Sequence, residues 1–185
     1  MGRWEPDAKG RMVRAAMELF AERGFEQTTA GDIAERAGVT ERTFFRHFAD
    51  KREVLFDSSR TLERTAVEAI LAAPADDPPL DAALAGMLAA GGLLEGRHEH
   101  SVRRSAIIAA NPGLQERELL KLAALAEATA DALRSRGVAD PAATLAAQSA
   151  VTVFQVGFAR WVSAEDPPGI GVCITDAAAA LRALR

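Results

Sequence analysis

The chain has 185 residues, 49% of them apolar, and a formal net charge of −4 at pH 7. That is enough apolar material for a sizeable core, yet the nearest candidate for a membrane span, Thr144 to Val162, is interrupted by Gln148, Gln155 and Arg160. A single cysteine, Cys173, excludes an internal disulfide and a multi-thiolate metal site, and Arg3 is not followed by the apolar core of a signal peptide, so a soluble cytoplasmic protein with no membrane partner is expected.

Helical periodicity governs the chain from end to end. Val13, Ala16, Met17, Phe20 and Ala21 mark the buried face of a first helix, which Gly24 ends, and Phe25 anchors onto the same core. Thr29, with Asp32 three residues later, gives a capping-box-like start to a second helix that buries Ile33, Ala34 and Ala37 before Gly38 turns the chain. Thr40 caps a short third helix containing Phe44, Phe45 and Phe48. Asp50 and Glu53 repeat the start signal and open a helix predicted to run to about Ala73. Pro74 to Pro79 is the clearest break. Beyond it, helices are predicted over roughly 80–95, 97–110, 113–136, 141–164 and 169–184, divided by Gly96, Asn111-Pro112-Gly113, the Gly137 to Pro141 turn and Asp166-Pro167-Pro168-Gly169. No strand-like alternation survives. The expected fold is all-α, with a three-helix domain over 1–50 and a helical regulatory and dimerisation domain over 51–185, residues 51–73 forming the connecting helix.

Two short helices joined by a glycine turn, within Thr28 to Leu55, have the build of a helix-turn-helix, which lays its second helix in the DNA major groove. Bulk charge gives this no help, because residues 1–60 hold eleven basic and eleven acidic side chains. Local placement does. Between positions 42 and 52, Arg42, Arg46, Lys51 and Arg52 face only Asp50, with His47 as a further donor. Glu41, Arg42, Thr43 and Arg46 project from the first turns of the third helix, where an arginine suits guanine O6 and N7. Thr29, at a helix start, can offer its hydroxyl and nearby N–H groups to a phosphate. His47 and Lys51 are spaced to hold the DNA backbone, and a lysine opposed by a helix dipole suggests an external anion. Phe44 and Phe48, four apart, read as core, whereas Phe45 cannot share their face and is expected toward DNA. His47 also fits a solvated surface histidine, and Arg52 a solvated helix residue.

The runs Leu19-Phe20-Ala21-Glu22-Arg23-Gly24-Phe25, Thr28-Thr29, Ile33-Ala34-Glu35-Arg36-Ala37-Gly38-Val39 and Thr43-Phe44-Phe45-Arg46-His47-Phe48, with Lys51 and Leu55, resemble the DNA-binding domain of the TetR/AcrR family of transcriptional repressors. The resemblance implies a homodimer that binds a palindromic operator and blocks transcription, and a C-terminal domain that takes up a small-molecule effector and releases the DNA. It puts Thr29, Thr43, Phe45, His47 and Lys51 on DNA-contact positions, and Glu41 and Arg42 on variable positions that tune sequence choice. The family usually has tyrosine at position 45; this chain has no tyrosine, so Phe45 offers apolar contact only. The resemblance also implies a dimer interface on the last two helices. The stripe Ala147, Val151, Phe154, Phe158 and Val162 fits either that interface or the monomer core, and Val151, Phe154, Phe158 and Val162 are the interface candidates.

Ligand-facing candidates are Gln148 and Gln155, with Arg103 for an acidic effector. His98 and His100, two apart on a helix, point to different sides and make no metal site. No phosphate loop, nucleophile–base pair or carboxylate–histidine cluster points to catalysis, so neither an enzyme nor a cofactor is expected. A transcriptional activator, or a constitutive DNA-binding protein with no inducer, is the alternative, since the sign of regulation depends on where the operator lies.

Overall fold

A computed structural model describes residues 7–184. The described residues form nine α-helices and a 3-10 turn, with no strand: α1 (Ala8–Arg23), α2 (Ala30–Arg36), α3 (Glu41–His47), the 3-10 turn Lys51–Phe56, α4 (Ser59–Ala72), α5 (Pro79–Gly92), α6 (His98–Ala109), α7 (Pro112–Ser135), α8 (Ala142–Ser163) and α9 (Ile170–Ala183). The all-α expectation holds. One correction falls at the predicted connecting helix: residues 51–73 do not form a single helix but the 3-10 turn followed by α4. Val54, Leu55 and Phe56 are all buried, and three consecutive side chains cannot share the single buried face of a straight α-helix. Asp57, Ser58 and Ser59 follow, residue types that compete with the helical backbone for hydrogen bonds.

The chain packs as two compact units, one of Met1–Ser58 with Arg103–Glu116, the other of Ser59–Val102 with Arg117–Arg185. In the first unit, Met12, Ala16, Leu19 and Phe20 of α1 meet Ile33, Phe44, Phe48 and Val54 to Phe56 in one core. Ile108 of α6 and Leu114 of α7, 3% and 0% exposed, complete it. Periodicity says that such residues are buried but not in which core, so sequence reasoning placed both with the C-terminal half. Arg104 seals the seam: its Nε donates to the Leu55 carbonyl at 2.8 Å, and its guanidinium lies 5.1 Å from the Phe56 ring centroid.

The second unit is built on small residues. Ala82, Ala83, Gly86, Ala90 and Gly91 of α5 are buried and let neighbouring helices come close. A Cβ on Gly86 would stand 2.8 Å from the Ala66 carbonyl of α4, and one on Gly157 of α8 would stand 2.8 Å from the Ile174 Cα of α9. Arg136, just past α7, ties the C-terminal end of α4 by donating to the carbonyls of Ile70 and Ala73 at 3.0 and 2.7 Å. Contrary to the sequence expectation, α8 is long and apolar enough to cross a membrane by length and composition, with mean hydropathy 1.3 over an 18-residue window. In this fold it is a core helix, burying Ala147, Val151, Phe154, Gly157 and Trp161. The stripe, which fitted either a subunit interface or the monomer core, packs on the core of this chain. Val151 and Phe154 are 4% and 8% exposed, and Phe158 and Val162 are half-buried against the same core, because α9 packs on that side of α8.

Candidate nucleic-acid interface

The turn between α2 and α3 explains how seven-residue helices hold a fixed angle. Gly38 adopts φ +67°, and the Val39 N–H donates to the Ala34 carbonyl at 2.9 Å while the Gly38 N–H donates to that of Glu35 at 3.0 Å. That pair of bonds is a Schellman motif, which satisfies helix-end carbonyls and reverses the chain in the space only glycine enters without strain. Thr40 then caps α3, its hydroxyl accepting from the Thr43 N–H at 3.2 Å. On the other flank, Arg36 of α2 reaches two acids of α1, Glu22 at 2.9 Å and Glu18 at 3.4 Å. Its hydrogen bond to Glu22 holds that carboxyl below its ordinary value and raises the guanidinium.

With α3 so placed, its residues divide by face. Phe44 is fully buried and Phe48, just past the helix, is 3% exposed, their ring centroids 5.4 Å apart. Glu41, Arg42, Phe45, Arg46 and His47 are exposed, and Thr43 is half-buried, its hydroxyl 3.0 Å from that of Thr40. Phe45 is 51% exposed and stands edge-on to Phe44. Arg42, Thr43, Phe45 and Arg46 together line an open depression. Among the described residues, neither Arg42 nor Arg46 makes an ion pair.

The other expected contacts are engaged within the protein. Thr29 forms a full capping box, donating its backbone N–H and its hydroxyl to one oxygen of Asp32, both at 2.8 Å, and accepting from the Asp32 N–H. The backbone bond and then the hydroxyl bond hold the Asp32 carboxyl below its ordinary value. A Cβ on Gly31 would lie 3.9 Å from a Glu41 carboxylate oxygen, so two acids attend the start of α2. Lys51 has internal acceptors: its Nζ donates to the carbonyls of Phe25, Thr28 and Glu26 at 2.8, 3.0 and 3.3 Å. The inference that its charge calls for an external anion is thereby corrected. Arg52 pairs with Asp50 at 2.6 Å. Burial would raise the Asp50 carboxyl, but the hydrogen bonds from Arg52 outweigh it and leave the group below its ordinary value.

Of the ligand candidates, Gln155 is half-buried on α8, Gln148 lies on the exposed face of that helix, and Arg103 is exposed and falls in the first unit. His98 Nε2 donates to the Trp161 carbonyl at 2.9 Å, its ring edge-on to the indole. No group of His, Cys, Asp and Glu able to hold a metal occurs among the described residues.

Residues 12–57 match the family model described as bacterial regulatory proteins of the tetR family. The regulator TcmR of Streptomyces glaucescens is 40% identical over 74 residues, which cover 40% of this chain and 33% of TcmR. The alignment thus spans about a third of that relative's length. Among solved structures, the TetR-family regulator PfmR of Thermus thermophilus covers 95% of this chain and 99% of its own, at 23% identity and TM-score 0.54. SmeT in its triclosan complex covers 94% of this chain and 90% of its own, at 18% identity and TM-score 0.61. Residues 12–57 thus carry a tetR-family helix-turn-helix, and the chain as a whole shares the all-helical fold of solved TetR-family regulators.

Proposed function

We propose that this regulator is a repressor that binds a palindromic operator as a homodimer and releases it when a small molecule occupies the second unit. One observation carries the DNA half of this reading: α3 buries Phe44 and exposes Glu41, Arg42, Phe45, Arg46 and His47 together. In the major groove, Arg42 and Arg46 are the base-edge donors, Glu41 suits a cytosine amino group, and His47 and Thr43 reach phosphates or neighbouring edges.

A dimer is supported by the outer faces of α8 and α9. Leu145, Gln148, Thr152 and Val156 recur at helical spacing on α8, and Val172, Thr175 and Ala179 on α9, all exposed. Leu145, Val156 and Val172 are 63%, 55% and 52% exposed, an apolar and charge-poor stripe suited to a self-complementary two-fold contact. Gln148 belongs to this stripe and not to a ligand site.

The effector is inferred to be mainly apolar or aromatic. The second unit's interior is alanine, leucine and aromatic, with Phe154, Phe158 and Trp161 in a row. Thr129 supplies a polar point within it: the residue is fully buried, and its hydroxyl has no hydrogen-bond partner among the described residues. SmeT, of like fold, takes up triclosan. Selection of sites from random duplex DNA tests the operator reading. An enriched inverted repeat with half-sites about one helical turn apart is expected; a direct repeat or no motif would sink the palindrome, and an equal selection after both Arg42→Ala and Arg46→Ala would remove α3 as its reader.

A further inference from the structure

We infer that Lys51 is an internal latch, not a phosphate contact, and that it supports DNA binding by holding the α1–α2 connection against the 3-10 turn. An ammonium has three donors and no acceptor. Those of Lys51 meet the carbonyls of Phe25, Glu26 and Thr28, which lie in the short connection between α1 and α2. The same ammonium stands 4.3 Å from the Phe25 ring centroid, a cation–π distance, and Phe25 leans on Phe20 of α1 at 5.1 Å. Thr28, fully buried, closes the connection from inside by donating to the Gly24 carbonyl at 2.9 Å.

This arrangement answers the chemical puzzle that Lys51 poses. It opens a helical turn, where a cation faces the positive end of the backbone dipoles. Three carbonyl oxygens and a ring face offset that repulsion without any bound anion. They also give partners to connection carbonyls that no helix satisfies. A phosphate would have to displace at least one of these carbonyls from the ammonium.

The assignment rests on the DNA-binding reading only for its second arm of test. In the first arm, free protein is methylated reductively and the chain's three lysines, Lys9, Lys51 and Lys121, are followed by mass spectrometry. Lys51 is expected to react at least roughly tenfold more slowly than Lys9, which is 47% exposed at its side chain, given its engaged donors. Equal rates would overturn the latch. In the second arm, Lys51→Met and Lys51→Arg are compared with wild type on a random-sequence duplex across a salt series, at a temperature where circular dichroism shows each folded. A phosphate contact would accept arginine unchanged, and its loss to methionine would flatten the salt slope by about 0.9 per protomer bound. A latch needs one compact cation under three converging carbonyls, so both variants should bind roughly tenfold more weakly at an unchanged slope. Full affinity in Lys51→Arg with a flattened slope in Lys51→Met would overturn the inference. If the wild type itself binds no DNA, the regulator's DNA reading falls while methylation still decides the latch.

Discussion

Arg42 and Arg46 stand apart from the other cations of the first unit. Arg11 donates to the Ala37 carbonyl, Arg23 and Arg36 pair with acids of a neighbouring helix, Arg52 pairs with Asp50, and Lys51 is bound to three carbonyls. Most of the described cations of this region are thus engaged internally, and Arg42 and Arg46 on α3 are not among them. Sequence reasoning saw the patch but could not sort it, because the acceptors of Lys51 lie 23 to 26 residues away, beyond any local spacing. Phe45 was legible, since i and i+1 cannot share a buried face. At that position Phe45→Tyr should leave folding intact and tighten operator binding by on the order of 1 kcal/mol, through one added phosphate bond; unchanged or weaker affinity in a titration would count against Phe45 facing the backbone. Asp32 gives a pH signature. Its carboxyl is lowered by the Thr29 bonds, so its stabilisation is present above the ordinary aspartate value of about 3.9 and fades as pH falls through the lower folded value. Melting curves of wild type should therefore decline more steeply in acid than those of Asp32→Asn, and parallel curves would show that the capping box is not formed.

At the scale of elements, caps and breakers were the readable part. Gly24, Thr29, Gly38, Thr40 and the Asn111-Pro112-Gly113 turn all end or begin helices where their chemistry says they should. Which face meets which partner was not readable, and α8 shows why. Its apolar stripe has the same spacing whether it covers a monomer core or a subunit interface. What distinguishes the two is Gly157, whose missing side chain lets α9 approach on that side. Replacing it should therefore be costly despite the gain in helix propensity. Gly157→Val is expected to destabilise the protein by about 1–3 kcal/mol through overpacking against the Ile174 backbone. A melting temperature equal to wild type would mean that α8 and α9 are not so closely packed.

For the whole molecule, the chain crosses between its two units at Ser58–Ser59, Val102–Arg103 and Glu116–Arg117. The sequence suggests one connection, the helix after residue 51; the fold has three, since α6 and α7 also contribute Ile108 and Leu114 to the core of the first unit, and under the proposed function each is a route by which a bound effector would bias α3. Assembly belongs to this scale as well. If the exposed stripe of α8 and α9 is the two-fold contact, Val156→Glu should give a folded monomer in sedimentation, because a charge would be buried against its own copy; a dimer of undiminished stability would place the interface elsewhere. A monomer would also lose the inverted-repeat preference while each α3 kept its half-site contacts. All of this depends on α3 reading base sequence with its exposed arginines. The measurement that reaches this most directly is the affinity ratio between the selected duplex and a scrambled one, for wild type and Arg42→Ala at one salt concentration. A fall in that ratio of roughly tenfold per half-site is expected from the loss of a bidentate guanine contact. A uniform loss on both duplexes would make Arg42 a backbone contact, and an unchanged ratio in both Arg42→Ala and Arg46→Ala would contradict α3 as the reader of the operator.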